Sequence, residues 1–252
     1  MNVIITNFGD DSIALIQWAY EQKLEELHIL SVDTGWEAST WHQRIQDSAQ
    51  WVKTLGIKHE HLQPQATFPE NVMARQRFPN KKFHWCPSFV KGLAILDWLE
   101  MHDESYEATI LLANRKDMVP GSLLEEFIEE HEHYDDRKVW HPLYALTEIQ
   151  RNQLITKTPL AVLNHRSLEC QPCIYNSAND FQSLSDEDCE RVVKLEDIIK
   201  APMFHPMDHQ NAQNVAEIRA QALKEKTDNH HANQDFYKAF ASSCSWSYGC
   251  GL

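Results

Sequence analysis

Three groups of residues have the types and spacing that chemistry needs. The first is Thr6-Asn7-Phe8-Gly9-Asp10-Asp11-Ser12, where an apolar run passes through a glycine turn into an amphipathic stretch. Backbone N–H groups at such a helix start, aided by the helix dipole and short polar side chains, hold an anion or a nucleotide phosphate. The same pattern also serves as a plain capped turn. The second is Val32-Asp33-Thr34-Gly35. An Asp leaving a parallel strand at its carboxyl end points into the crevice where α/β proteins bind ligands, although Asp-Thr-Gly also suits a turn closed by an Asx contact. The third is the set of six cysteines: Cys86, Cys170, Cys173, Cys189, Cys244 and Cys250. The two-residue gap of Cys170-Gln171-Pro172-Cys173 lets both thiolates reach one metal or cluster. Zinc on four thiolates satisfies that spacing, and so does a metal-free CxxC. Cys244 and Cys250 can pair with each other, complete a metal site or act separately.

Alternating apolar and amphipathic segments must position these groups. Val3 to Thr6, His28 to Val32, Ile57 to Leu62 and Thr109 to Ala113 read as strands. Ser12 to Gln22, Thr40 to Leu55 and Pro87 to Met101 read as helices with one apolar side. This β-α-β-α rhythm predicts an α/β fold, a parallel sheet with helices on both faces, over residues 1–160. Residues 161–252 read as a smaller helical, Cys-bearing region. Its helices are Ser185 to Ile199, capped by Ser185, and Asn211 to Lys226. Just before it, Thr147 to Lys157 carries a possible capping box at Thr147 and Gln150. The acidic stretch 122–136 reads as a solvated surface helix. Among the histidine pairs, His59/His61, His131/His133 and His230/His231 have no metal pattern around them, and Met203 to His209 reads as a Pro-punctuated turn with structural His. The Trp residues read as core, except that Trp36, beside Asp33-Thr34-Gly35, is placed to stack near an adenine.

Composition narrows the field. Hydrophobic residues make up 42% of 252, enough for a sizeable core. Only 7 glycines occur, so each is expected where the backbone requires it. A formal net charge of −14 repels phosphate backbones and disfavours a broad nucleic-acid footprint, while leaving room for a local basic pocket. No run of eighteen apolar residues exists, and Met1 leads directly into Val3-Ile4-Ile5, so neither a membrane span nor a cleaved secretory signal is expected. A cytoplasmic setting follows as an expectation, and in that reducing environment Cys clusters point to metal or redox chemistry.

The two turns, in this order and spacing, resemble the phosphoadenosine phosphosulfate (PAPS) reductase family within the adenine-nucleotide α-hydrolase, or PP-loop, group. Phe8-Gly9-Asp10-Asp11-Ser12 is similar to the family's first loop, and Asp33-Thr34-Gly35 to its Asp-Thr-Gly. Leu111-Leu112-Ala113-Asn114-Arg115-Lys116 looks like the Arg-containing loop, and His141-Pro142-Leu143 with Thr147-Glu148 like a later segment. The likeness covers most of residues 1–175. It implies an adenine-nucleotide site shaped by Phe8, Gly9, Asp11, Ser12, Asp33, Thr34, Gly35 and Arg115, with Lys91 and Arg166 as further anion contacts. Arg166 to Cys173 resembles the cysteine segment of adenylyl-sulfate reductases that hold a 4Fe-4S cluster. That implies Cys86, Cys170 and Cys173 as ligands, with Cys244 as the fourth or Cys189 or Cys250 in its place, and zinc as the alternative metal. Gly249-Cys250-Gly251-Leu252 resembles the family's mobile tail, whose Cys attacks the sulfur of the substrate before a thioredoxin- or glutaredoxin-like reductant resolves it.

One departure separates the chain from PP-loop enzymes that hydrolyse ATP. They carry Lys where Asp10 stands, a cation suited to developing phosphate charge. The leading expectation is therefore a sulfonucleotide (PAPS or adenylyl-sulfate) reductase with Cys250 as nucleophile, releasing sulfite. The alternatives are an ATP-dependent PP-loop sulfurtransferase acting on tRNA, DNA or a small molecule, and a non-catalytic redox- or metal-sensing nucleotide-binding protein. Expected partners are a small adenylyl-sulfate type nucleotide, the thiol reductant and a second copy in a homo-oligomer; neither a membrane nor a nucleic acid is expected.

Overall fold

The structure is a computed structural model that describes residues 1–118, 124–163, 165–205, 212, 214–224 and 248. Six strands form one sheet in the order β3-β2-β1-β4-β6-β5. They are β1 (Asn2–Ile5), β2 (Leu27–Val32), β3 (Lys58–Leu62), β4 (Thr109–Leu111), β5 (Phe127–His131) and β6 (Arg137–Trp140). All neighbouring pairs are parallel except β5 with β6. The chain builds outward from β1 to β3 on one side, then returns to place β4 on the other. The loops after β1 and β4 therefore part at the carboxyl edge of the sheet, the switch point where open α/β sheets take ligands.

Strand side chains alternate between faces, and the alternation sorts the core. Ile4 and Ile29 face α1 (Asp10–Glu21), α2 (Trp41–Thr54) and α5 (Glu148–Ile155), through Ile13, Ile16, Val52 and Ile155. Val3, Ile5, Leu30 and Ile110 face α4 (Leu93–His102), through Ile95, Trp98 and Leu99. Helices thus cover both faces, as the rhythm predicts. A third cluster gathers α3 (Phe68–Arg75), α7 (Asp186–Ile199) and α8 (Val215–Lys224) around Trp36, Phe181 and Val192; the short α6 (Ala178–Gln182) supplies Phe181. The capping boxes at Thr147/Gln150 and Ser185/Asp188 form. Among the described residues, no helix is long and apolar enough to cross a membrane.

Two elements differ from expectation. The acidic stretch read as a surface helix holds β5 and a short 3-10 turn at Glu132–Tyr134, and leads into β6. Backbone pairing to β6 decides this, and the glutamates then keep an otherwise open sheet edge from pairing further. The helix read from Pro87 begins as a π-helical turn, Pro87–Gly92, and becomes α-helical only at Leu93. Tyr248 packs against Gly92 there, and a Cβ on Gly92 would lie 2.7 Å from its Cζ, so a larger residue would have to displace that ring.

Candidate functional site

The opening turn is closed by its own side chains. Phe8 N–H donates to Thr6 Oγ1 at 2.9 Å, and Gly9 N–H to Asn7 Oδ1 at 2.8 Å. The Ser12 hydroxyl donates to the same Asn7 oxygen at 2.8 Å. Phe8 adopts φ 56°, a left-handed conformation that a residue with a side chain rarely takes, and its ring is fully buried. Such stored strain is typical of functional turns. An anion arriving here would exchange those internal bonds for bonds to itself. Thr6 and Asn7, which open the motif in the sequence but were given no role of their own there, are the residues that hold the turn.

Behind the turn stands a buried ionic network. Arg115, on the loop after β4, donates from Nε to Asp11 Oδ1 at 2.7 Å and from Nη1 to Asp117 at 2.7 and 2.8 Å. Arg151 of α5 lies 3.1 Å from Asp10 Oδ2, and Arg44 of α2 lies 3.4 Å from Oδ1. Asp10 also accepts from Leu163 N–H at 3.2 and 3.1 Å. This resolves the awkwardness of an Asp in the place of a Lys: Asp10 meets two guanidiniums and a backbone donor. Burial raises the Asp10 pKa despite Arg151, Leu163 and Arg44, which pull it down. For Arg115, burial lowers the pKa but Asp11 and Asp117 outweigh it and the net shift is upward. Arg115 thus ties the β1 and β4 loops together. Sequence reading missed Arg44 and Arg151, because a lone Arg beside an apolar helical stripe looks like any solvated cation.

The second turn is joined to the cysteine segment. Asp33 Oδ1 accepts from Gly35 N–H at 2.9 Å, the Asx contact. Gly35 has φ 63°, and a Cβ there would lie 2.8 Å from Cβ of Thr67. Thr34 N–H donates to Glu37 Oε1 at 2.6 Å, and its hydroxyl donates to the carbonyl of Glu169 at 2.8 Å. Trp36 Nε1 donates to the carbonyl of Pro172 at 3.0 Å. Its ring is buried, tilted against Phe68 and overlaid by Arg191 at 4.4 Å. The adenine-stacking reading of Trp36 is therefore corrected: the indole is an internal strut between the Asp-Thr-Gly turn and the CxxC.

Cys86, Cys170 and Cys173 line one cavity, together with Lys91, Arg166 and Trp36. A buried Lys91–Glu169 ion pair closes at 2.8 Å. Lys91, expected to contact a ligand anion, is thus already matched by a carboxylate. Burial pushes Glu169 up to about 7, with Lys91 opposing. Arg166 bonds the side chain of Asn176, lies 3.4 Å from Asp180 and interacts with Cys173; burial lowers its pKa, Cys173 and Asp180 raise it, and the net shift is upward. Arg191 of α7 donates to the carbonyls of Glu37 and Gln171 at 2.8 and 2.5 Å, and its charge acts on Cys170. Each CxxC sulfur is therefore paired with a guanidinium, Cys173 with Arg166 and Cys170 with Arg191. Glu169 and Arg191 were not sequence candidates; an acidic residue just before a CxxC was the one available signal.

The cysteine expectation divides. Three of the thiols converge on one cavity from sites more than eighty residues apart in sequence. Cys189 does not line it: it is buried in α7 beside Arg219, and burial raises its pKa. The ligand role offered for Cys189 is corrected accordingly. Cys244 and Cys250 lie outside the described residues. Among the described residues, no group of three His, Cys, Asp or Glu side chains is arranged to hold a metal ion. The described thiols therefore do not by themselves fit a 4Fe-4S cluster or zinc.

No family model matches this sequence, and no characterised protein matches it significantly. Solved structures are similar to it in fold. A phosphoadenylyl-sulfate (PAPS) reductase from Candida auris, in a phosphate complex, shares 16% identity with a TM-score of 0.43, over 62% of this chain and 71% of that one. NMN synthetase from Francisella tularensis shares 17% with a TM-score of 0.44, over 92% of this chain and 86% of that one. FMN adenylyltransferase from Candida glabrata, with FMN and an ATP analogue, shares 15% with a TM-score of 0.41, over 73% of this chain and 53% of that one.

Proposed function

We propose that this protein binds an adenine nucleotide where the β1 and β4 loops part, and that it reduces an adenylylated sulfate to sulfite with thiols. The observation that carries this reading is the Thr34 hydroxyl bonded to the Glu169 carbonyl. It makes the Asp-Thr-Gly turn and the CxxC one structural unit, so sulfur chemistry stands beside the nucleotide crevice. Phe8, Gly9, Asp11, Ser12, Asp33, Thr34, Gly35 and Arg115 shape the nucleotide site, with Arg166, which interacts with Cys173, as a further anion contact.

In the reaction, the Cys250 thiolate attacks the sulfate sulfur and the S–O bond to the phosphate breaks. The adenosine monophosphate leaves with that electron pair, and Cys250 becomes S-sulfocysteine. A dithiol reductant of the thioredoxin or glutaredoxin class then attacks the Cys250 sulfur. Sulfite leaves with the S–S electron pair, and the mixed disulfide closes to an oxidised dithiol, freeing Cys250. The two electrons come from the dithiol. No step passes through a metal. A 4Fe-4S cluster belongs to the same reading only if Cys86, Cys170 and Cys173 close from their present arrangement around a fourth thiol, which iron and sulfide analysis of anaerobically purified protein decides.

The test is sulfite release from adenylyl sulfate and from its 3′-phosphorylated form, with a dithiol as reductant. S-sulfocysteine on Cys250 should be trapped before the dithiol is added, and Cys250→Ser should abolish both. Sulfite release that survives Cys250→Ser overturns the reading, as does a protein that binds no adenine nucleotide.

A further inference from the structure

Residues 71–96 contain Arg75, Arg77, Lys81, Lys82 and Lys91 and no carboxylate, in a chain whose formal net charge is −14. Lys91 is internal and paired. The other four cations lie on the surface between α3 and the π-helical turn. Lys81, Lys82 and Arg77 are exposed and Arg75 half-buried, and among the described residues none of the four is ion-paired. Elsewhere the arginines are mostly neutralised, as around Asp10 and Asp11, so this is a local reversal of the surface field.

Aromatic rings alternate with these charges. Phe83 is 51% exposed and Phe89 is 41% exposed, both unusual for Phe. The Arg77 guanidinium lies 4.9 Å from the Phe83 ring centre, and that of Arg75 lies 4.0 Å from the Phe89 ring and 4.8 Å from Trp85. Hydrogen bonds close the turn that carries them. Asn80 and Phe83 exchange backbone bonds at 3.2 and 3.0 Å, and Asn80 Oδ1 accepts from the N–H groups of Lys82 and Phe83, both at 2.9 Å. That closed turn places Lys81 and Lys82 at its tip. Pro79 and His84, on either side of the tip, line the cavity that holds the three thiols.

We propose that residues 75–89 form a docking surface for a single-stranded nucleic-acid segment, laid across the mouth of the thiol cavity. Phosphates meet the four cations, and unstacked bases meet the exposed Phe faces, a combination that binds single strands with little sequence preference. A duplex hides its base faces. An acidic polypeptide matches the charge but leaves the rings without partners. The acidic remainder of the surface repels other phosphates and confines the strand to this patch.

The experiment is fluorescence anisotropy with labelled dT12 and rU12, a 12-base-pair duplex and polyglutamate, from 50 to 200 mM salt. Four phosphate contacts on a single strand give a log–log salt slope of about −2.8, so affinity should fall about fiftyfold across that range. Lys81→Glu with Lys82→Glu should weaken single-strand binding at least tenfold and flatten the slope. Phe83→Ala should weaken it about tenfold without changing the slope. All three positions are exposed, and an unchanged melting temperature will show that the variants fold. Adenine-nucleotide binding should be unaltered in each, which separates this proposal from the reading above. The proposal is overturned by no single-strand binding at 50 mM salt, by equal binding of the duplex or polyglutamate, or by charge-reversed protein that binds as well as the parent.

Discussion

Arg115 and Asp11 stand 104 residues apart in sequence and meet at 2.7 Å, guanidinium Nε to carboxylate, with both side chains almost fully withdrawn from solvent. The contact joins the loop after β4 to the first turn of α1, across the point where the strand order reverses. The shape of the crevice therefore depends on a charge pair. Removing one partner of a buried pair leaves the other uncompensated, a larger loss than the net worth of the pair.

The same logic makes Asp10 a stability determinant. Asp10→Ala leaves Arg44 and Arg151 facing an empty position and frees the Leu163 N–H. The variant should lose about 3 kcal/mol or more in denaturant unfolding. A loss below about 1 kcal/mol would show that the network is not the lock described.

Gly35→Ala adds a methyl against Thr67 Cβ at 2.8 Å, in a backbone conformation of φ 63°. Strain and overpacking together should remove about 2–4 kcal/mol. Gly35→Ala combined with Thr67→Ser, which deletes the methyl at 2.9 Å but keeps Cβ at 2.8 Å, should recover only part of that; a double-variant unfolding cycle reads the difference.

Thr34→Val keeps the shape but deletes the hydroxyl that holds the Glu169 carbonyl and accepts from Trp36 N–H at 3.1 Å. Loosening the CxxC segment should raise the alkylation rate of Cys170 and Cys173 by about tenfold, the equivalent of one lost hydrogen bond. Mass spectrometry of iodoacetamide-treated protein measures it, with Cys189 as the internal reference.

Acid should destabilise the fold through its histidines. Burial lowers His141 to about 4, against its contact with the Glu125 carbonyl, and burial and His61 lower His59 to about 4. His59 shares the Ser31 hydroxyl with His61, at 2.9 and 2.8 Å. A histidine whose folded pKa is depressed contributes stability above its unfolded value, near 6.5, and loses it as pH falls toward 4. At pH 5, His141 alone should account for about 2 kcal/mol. Melting curves at pH 7.5 and 5.0 should show the drop, and His141→Gln should shrink it.

Much of this was legible in the chain. Periodicity placed the first three strands and the helices between them, and the turn chemistry of Gly9 and Asp33-Thr34-Gly35 marked the carboxyl edge. The stretch 122–136 was misread because acidic residues suit either an exposed helix or an edge strand, and only β6 decides between them. Trp36 was misread because a Trp beside a nucleotide-type turn has the same sequence whether it faces a base or the Pro172 carbonyl.

By itself, the sequence determined the layered α/β class, the order of the turns and the inventory of thiols and charges, since these follow from local patterns of 2 and 3.6 residues and from residue type. The tertiary structure decided the pairings. Asp10 with Arg44 and Arg151, Asp11 with Arg115, Lys91 with Glu169, and Thr34 with the cysteine segment all join residues 34 to 141 positions apart. No local pattern encodes such partners, because charge neutrality in a buried site is settled only when the chain has closed around it.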